Sequence, residues 1–460
     1  MSRSRARARF GPGPALAAAL ALAAVSLALP YLPVYDPWAW LVWGRELLHG
    51  GLETTGGPSW KPLPVLVDAP LSLLGGAAPK AWLLVARTGW ICAPPLAGLL
   101  AARLSGTGTG RWRWIAAAVA AGSVALTGDT FTPPLRQFTG GLSEPLLVAL
   151  VLTAVWAALD ERPGWVLGLG AAAALLRPEA WSFLAVWAFF ATRERPGLRP
   201  TAIAVAVLVP LAWFVPDLVG AGNPLQGGET ARAGGVEPLD GLRVLGRALA
   251  APLAAAWLGL GLLIWRERDE LDRPLAILLA GAGAWVLLVA VMAIGGFAGL
   301  PRFLAPATAV VAIAGAVGIA RAGAAGKRGL VVVALVLAIA GFGWRVAQVP
   351  GDLDVVQRQT SALEDLFDLV EETGSAPLLA CGGTVRMTQV RPQTALAWKL
   401  EEPISAVPVR RKPRYGVALS TEPLPNGSVL ARAGRWRATV LPCPSGYGAA
   451  PSPADVELSR

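Results

Sequence analysis

The sequence predicts an all-α polytopic membrane protein of about eleven transmembrane helices, with a small extracytoplasmic α/β domain at its C-terminus. Three observations predict it. Hydrophobic residues make up 54% of the 460 and charged residues only 15%, against about 45–50% and about 25% in soluble chains. Apolar runs of the roughly 17–25 residues needed to cross a bilayer recur through the first three quarters of the chain. Basic residues then gather in alternate loops between those runs.

The elements follow in order. An arginine-rich start, residues 1–14, precedes an apolar run at 15–30. That resembles a signal peptide, but no small-x-small cleavage site stands before residues 31–35, so a retained first helix is expected. Further spans are expected at about 81–102, 114–127, 142–159, 164–176, 179–192, 201–219, 248–265, 274–294, 303–320 and 330–349. Residues 164–192 test the count. As one helix they would reach about 43 Å, against an apolar thickness of about 30 Å. They would also move every later basic cluster to the other side. Pro178 disfavours helical geometry at Arg177, so two short helices are expected to meet at Arg177-Pro178-Glu179. The N-terminus is then cytoplasmic and the C-terminus outside.

Three regions result: the basic cytoplasmic N-terminus 1–14, a membrane domain 15–349 with an outer loop at 31–80, and an extracytoplasmic tail 350–460. The tail is expected to start with a polar helix at 354–372. A strand at 377–381, a helix at 393–402 and strands at 415–419 and 436–441 follow. Cys381 and Cys443 both lie there, in an oxidising compartment, as a candidate disulfide or as two separate thiols.

The net charge of +10 could indicate nucleic acid, but residues 351–460 hold 12 basic and 12 acidic side chains, so the surplus lies in the membrane part. With one histidine and three cysteines, a His/Cys metal site or a Ser-His-Asp triad has little material. Gly106-Thr107-Gly108-Thr109-Gly110 follows an apolar span rather than a strand and reads as a turn. The 19 tryptophans read as interfacial anchors, with Trp38, Trp40 and Trp60 also able to stack on sugars.

Ionisable residues at or within spans are costly and mark candidate sites. Asp36, in Tyr35-Asp36-Pro37-Trp38, precedes an amphipathic stretch at 38–48 suited to the outer interface. Its carboxylate either activates an acceptor hydroxyl or caps that helix. Lys61, one of five lysines, either neutralises a phosphate or snorkels. Glu144 heads a span as Ser143-Glu144-Pro145. It is a second active-site carboxylate or a first-turn acid behind a Ser cap. Arg177 and Glu179 line a substrate pocket or pair with each other. Arg302, in Pro301-Arg302-Phe303-Leu304-Ala305-Pro306, grips a phosphate or snorkels, and Arg136 is a weaker candidate of that kind. All share the outer side.

The order of these elements resembles the GT-C superfamily of integral-membrane glycosyltransferases, of the protein O-mannosyltransferase and lipid A aminoarabinose transferase type. An Asp follows the first span, and an interfacial helix ends Gly44-Arg45-Glu46-Leu47-Leu48-His49-Gly50. Then come Trp60-Lys61-Pro62-Leu63-Pro64, Leu74-Gly75, Ala86-Arg87, Gly141-Leu142-Ser143-Glu144-Pro145 and Arg302-Phe303-Leu304-Ala305-Pro306. The resemblance covers most of residues 15–349. It implies a GT-C-like fold and inverting transfer of a hexosyl or pentosyl group from a polyprenyl-phosphate-linked sugar donor on the outer face. The acceptor is a glycan, lipid or protein, membrane lipids surround the site, and no nucleic acid is involved. Asp36 and Glu144 are then the catalytic carboxylates, and Lys61 and Arg302 bind the donor phosphate. The family's Lys-Pro-Pro-Leu is here Lys61-Pro62-Leu63-Pro64, its second aspartate is Glu144, and Arg177-Pro178-Glu179 is less typical of it. No cofactor is required in this reading, while a carboxylate-bound Mg²⁺ or Mn²⁺ stays open. A transporter or flippase of a lipid-linked saccharide, and a non-catalytic envelope-assembly protein, are the rival functions.

Overall fold

The computed structural model describes residues 12–31, 33–127, 133–232, 237, 239–267, 271–443 and 451. Most of the basic N-terminus and parts of the predicted outer loops at 128–141 and 220–247 lie outside them.

The loop at 31–80 is folded. After α1 (Pro12–Ser26), α2 (Tyr35–His49) opens with Asp36 in its first turn, where the helix dipole favours an anion, and stops at Gly50 in left-handed geometry. The third helix, α3 (Pro62–Ser72), begins on Pro62, whose fixed φ suits the first helical position. It packs so closely on α2 that a Cβ on Gly44 would lie 2.7 Å from the Asp68 carbonyl carbon. The next elements are α4 (Ala78–Leu104), α5 (Trp112–Ala125), α6 (Pro134–Gly140), α7 (Glu144–Leu159), α8 (Pro163–Leu176), α9 (Ala180–Glu194) and α10 (Arg199–Ala221). Two short helices, α11 (Gln226–Arg232) and α12 (Asp240–Ala250), lead to α13 (Ala254–Glu267), α14 (Arg273–Ile294) and α15 (Ala305–Ala324).

A helix stands at each of the eleven expected places, but the count of eleven spans is not reached among the described residues. Five segments are long and apolar enough to cross a membrane: Gly75–Leu104, Pro196–Ala221, Arg273–Ile294, Pro301–Ala324 and Arg328–Thr373. Two bent pairs, α6 with α7 (98°) and α12 with α13 (88°), raise this to seven. The reason is length. At 1.5 Å per residue, 14 or 15 residues in α1, α5, α8 and α9 reach only about 21–23 Å, short of the roughly 30 Å apolar thickness.

Small residues set the central crossing. A Cβ on Gly315 would lie 2.2 Å from the Ala256 carbonyl oxygen, and one on Gly259 2.0 Å from that of Gly315. The backbones of α13 and α15 therefore touch, which only glycine permits and which membrane helix pairs commonly use.

Residues 349 and 350, where the sequence places the start of the tail, lie inside a single 46-residue helix, α16 (Arg328–Thr373). It extends for about 69 Å at 1.5 Å per residue, so its polar second half stands well beyond the apolar part. Segment 377–381 is not a strand. Its first residues belong to a short helix, α17 (Ser375–Leu379), started after Gly374 at φ 78°. Strand β1 (Val385–Met387), helix α18 (Gln393–Leu400), and strands β2 (Gly416–Ser420), β3 (Ser428–Ala433) and β4 (Trp436–Leu441) complete the tail. The sheet runs β1-β2-β4-β3, with β1 parallel to β2 and the other pairs antiparallel. Cys381 and Cys443 form a disulfide with Cα atoms 5.6 Å apart.

The tail shares its core with the loop at 31–80. Trp40 and Trp43 of α2 are buried with Leu366 and Leu369 of α16, Val417 and Leu419 of β2, and Trp436 of β4. Polar contacts fix the register. The Tyr35 hydroxyl donates to Gln393 Oε1 at 2.8 Å, Thr394 Oγ1 donates to the Tyr35 carbonyl at 2.8 Å, and Arg45 reaches the carbonyls of Trp398 and Glu402. The first turn of α2, which carries Asp36, is thus held by the tail domain.

Candidate active site

Five places far apart in sequence bring six charges together. Asp36 comes from the first turn of α2, Lys61 from the residue before α3, and Glu144 from the first residue of α7. Arg177 and Glu179 come from the break between α8 and α9, and Arg302 from the turn preceding α15. The break has its expected local cause: Arg177 is extended (φ −144°, ψ 124°) ahead of Pro178.

The geometry separates the two carboxylates. Glu144 is 1% exposed, with Oε1 3.4 Å from Arg302 Nε and 4.0 Å from Arg177 Nη1. Arg177 is held in turn by both oxygens of Glu179 and lies 3.7 Å over the Phe303 ring. Glu144 is therefore buried within ion-pair distance of two guanidiniums, without a hydrogen bond to either. Asp36 keeps 19% of its side chain exposed, with Lys61 Nζ and Arg302 Nη2 each 3.8 Å from Oδ2. Neither cation is within hydrogen-bond range, so the carboxylate retains acceptor capacity. It does not cap its helix, since Val34 is the N-cap. Ser143 likewise makes no side-chain cap for α7. Burial pushes the Lys61 ammonium below the usual lysine range, against the pull of Glu144 and Asp36. Its Nζ also sits 5.1 Å over the Trp40 ring.

Two cavities meet here. The first, of about 450 Å³, is lined by Asp36, Lys61, Arg177, Glu179 and Arg302, and on its apolar side by Trp181, Phe214, Met292 and Phe303. The second, of about 540 Å³, lies under the tail between α2, α6 and α16, and Asp36 and Arg302 line it too. Arg136 lines only the second and pairs with Asp352 of α16 at 3.2 Å. Trp60 lines neither. It is buried against Trp43, and its Nε1 donates to the Ala212 carbonyl at 3.0 Å. Arg87 is fully buried and ties the end of α1 to α6 through the carbonyls of Ser26 and Phe138. Among the described residues no three His, Cys, Asp or Glu side chains are grouped to hold a metal ion.

No protein-family model matches the sequence, and no curated protein does. Solved structures do match. ArnT from Cupriavidus metallidurans bound to undecaprenyl phosphate aligns at a TM-score of 0.56 and 15% identity, over 96% of this chain and 100% of that one. The same ArnT in the apo state aligns at 0.53 and 16%, over 94% and 98%. The chain has the ArnT fold. Both the membrane helices and the C-terminal tail fall within the match, as the coverage requires, and the GT-C-like architecture expected from the sequence is met by this ArnT-like fold.

One site residue escaped the sequence reading. Asp217, near the C-terminal end of α10, is buried in the wall of the first cavity. Its Oδ2 accepts the Gly227 N–H at 2.7 Å. The signal was present, since Asp217 is an acid inside a predicted span.

Proposed function

We propose that the chain is a membrane glycosyltransferase. It takes a hexosyl or pentosyl group from a polyprenyl-phosphate-linked donor and passes it to an acceptor hydroxyl on the outer face of the membrane. One observation carries this reading: Asp36 lines both cavities, with Lys61 and Arg302 each 3.8 Å from its Oδ2 and the buried Glu144 beside Arg302. The ArnT-like fold supports it, because one ArnT structure of that fold holds undecaprenyl phosphate. The N-terminus is cytoplasmic and the tail extracytoplasmic in this reading, as the alternating basic loops favour.

The donor head lies in the first cavity with its phosphate near Lys61 and Arg302. Asp36 accepts the acceptor's hydroxyl proton as that oxygen bonds to the anomeric carbon. The bond from that carbon to the phosphate oxygen breaks at the same time, and its electron pair leaves with the polyprenyl phosphate. Lys61 and Arg302, fixed before the reaction, neutralise the growing charge. A single displacement inverts the anomeric centre. No divalent ion is required on this account, so turnover in EDTA equals turnover in Mg²⁺ or Mn²⁺.

The test is mass spectrometry of envelope glycans and polyprenyl-phosphate lipids in the parent, a deletion, and the deletion complemented with Asp36→Asn. Loss of one sugar from a glycan in both mutants, with accumulation of the matching lipid-linked sugar, is the expected result and names the sugar. If Asp36→Asn restores the parent profile at normal protein level, the chemistry assigned to Asp36 is wrong. A saccharide stranded on one membrane face, with no glycosidic bond missing, identifies a flippase instead.

A further inference from the structure

The second cavity carries charge of one sign. Five arginines line it, Arg136, Arg302, Arg358, Arg391 and Arg435, and Asp36 is the single carboxylate among its lining residues. Arg302 and Arg136 are engaged, by Asp36 and Glu144 and by Asp352. Arg358, Arg391 and Arg435 are exposed, and no carboxylate pairs with them among the described residues. They come from three separate places: the outer half of α16, the segment before α18, and the turn between β3 and β4. The tail as a whole has equal numbers of basic and acidic residues, so three unpaired guanidiniums converging on one cavity are not its general surface character. Folded domains ordinarily intersperse the two signs, and a one-signed concavity raises the local concentration of the opposite charge. The planar guanidinium fork suits phosphate and carboxylate oxygens.

We infer that this cavity binds the acceptor, and that the acceptor is an anionic saccharide carrying a phosphate ester or a carboxylate close to the hydroxyl that is glycosylated. This rests on the transferase reading of Asp36, whose carboxylate faces both cavities. The tail domain then selects the acceptor by charge, with Arg358, Arg391 and Arg435 holding the anion while the neighbouring hydroxyl reaches Asp36.

The experiment uses the full chain in lipid nanodiscs and three oligosaccharides of equal length: neutral, phosphate-ester-bearing and uronate-bearing. Equilibrium binding is measured for the parent and for a variant combining Arg358→Glu, Arg391→Glu and Arg435→Glu. At least one anionic probe is expected to bind about tenfold or more tighter than the neutral one, more weakly as salt rises. The triple variant is expected to lose that preference, while its undecaprenyl phosphate affinity stays within about twofold of the parent, since the exposed substitutions leave the first cavity intact. Preference for the phosphate ester or the uronate names the source of the charge. Equal binding of the neutral probe, failure of all three to bind, or an unchanged preference in the triple variant overturns the inference. Failure of the parent to bind undecaprenyl phosphate counts instead against the transferase reading.

Discussion

Asp36 and Arg302 approach to 3.8 Å at the wall shared by the two cavities, and each lines both. In the proposed transferase reading, a donor in one cavity and an acceptor in the other meet at this pair. The separation is too long for a hydrogen bond, so an oxygen can enter between carboxylate and guanidinium without first breaking a tight ion pair. Arg302 is shared by a carboxylate that is partly exposed and one that is not, which divides their roles.

Asp36→Asn separates chemistry from binding. Removing a general base costs about 10²–10⁴-fold in rate, so turnover of a lipid-linked sugar is expected to fall by at least about a hundredfold. The same change removes a negative charge beside Lys61 and Arg302. Undecaprenyl phosphate is expected to bind as tightly as before or tighter. Turnover and lipid binding measured on one preparation check both, and a parallel loss of the two is the outcome that denies Asp36 a chemical role.

Glu144→Gln acts on stability first. The carboxylate is 1% exposed, faces Arg302 and Arg177, and neither of its oxygens has a hydrogen bond. Neutralising it leaves two guanidiniums without that counter-ion, and breaking a buried pair typically costs about 3–5 kcal/mol. Thermal unfolding in detergent is expected to show a much larger drop for Glu144→Gln than for Asp36→Asn, whose carboxylate is partly solvated. Equal drops would mean that Glu144 is not the anchor of the cluster.

Much of this site was legible because local rules create it. Pro178 forces Arg177 out of the helix, Pro62 and Pro145 mark helix starts beside Lys61 and Glu144, and acids at the starts of apolar segments are visible without a structure. What pattern does not carry is the packing between distant elements. Arg358, Arg391 and Arg435 read as solvated surface charges until the tail closes over α2 and brings them to Asp36, more than 300 positions away. The apolar run at 377–381 is too short for periodicity to tell strand from helix, and Gly374 together with its neighbours resolves it as α17. The count of eleven spans rests on hydropathy, which carries no helix length: α5, α8 and α9 are short for an unaided crossing, so length and composition alone reach five to seven spans among the described residues.

The crossing of α13 and α15 predicts a sharp difference between glycines of one helix. A methyl group at Gly259 would meet the Gly315 carbonyl oxygen at 2.0 Å, whereas one at Gly261 meets nothing within 4 Å. Overpacking of this kind costs about 1–3 kcal/mol or more, and in Gly259→Ala the obstacle is backbone, which cannot rotate away. Gly259→Ala is expected to lower the yield of folded protein and its thermal midpoint, and Gly261→Ala to leave both unchanged. Similar behaviour of the two variants would show that the helices do not touch there.

Glu46 predicts a pH dependence that has no part in the chemistry. It lies in α2, 8% exposed, with the Glu53 N–H donating to its Oε2 at 3.0 Å. Burial pushes its carboxyl up to about 7 from an ordinary value of 4.5, with the Glu53 N–H and Arg45 opposing. Folding therefore favours the protonated acid. The stabilisation is complete below pH 4.5 and disappears as pH rises through about 7. One proton taken up on folding gives a slope of at most about 1.4 kcal/mol per pH unit in that window. The thermal midpoint of the parent is expected to decline between those pH values by more than that of Glu46→Gln, which removes this contribution and leaves the rest. Above pH 7 the variant is expected to be the more stable of the two, because it no longer buries a charge. A parent and variant with superimposable pH profiles would place the Glu46 carboxylate in water.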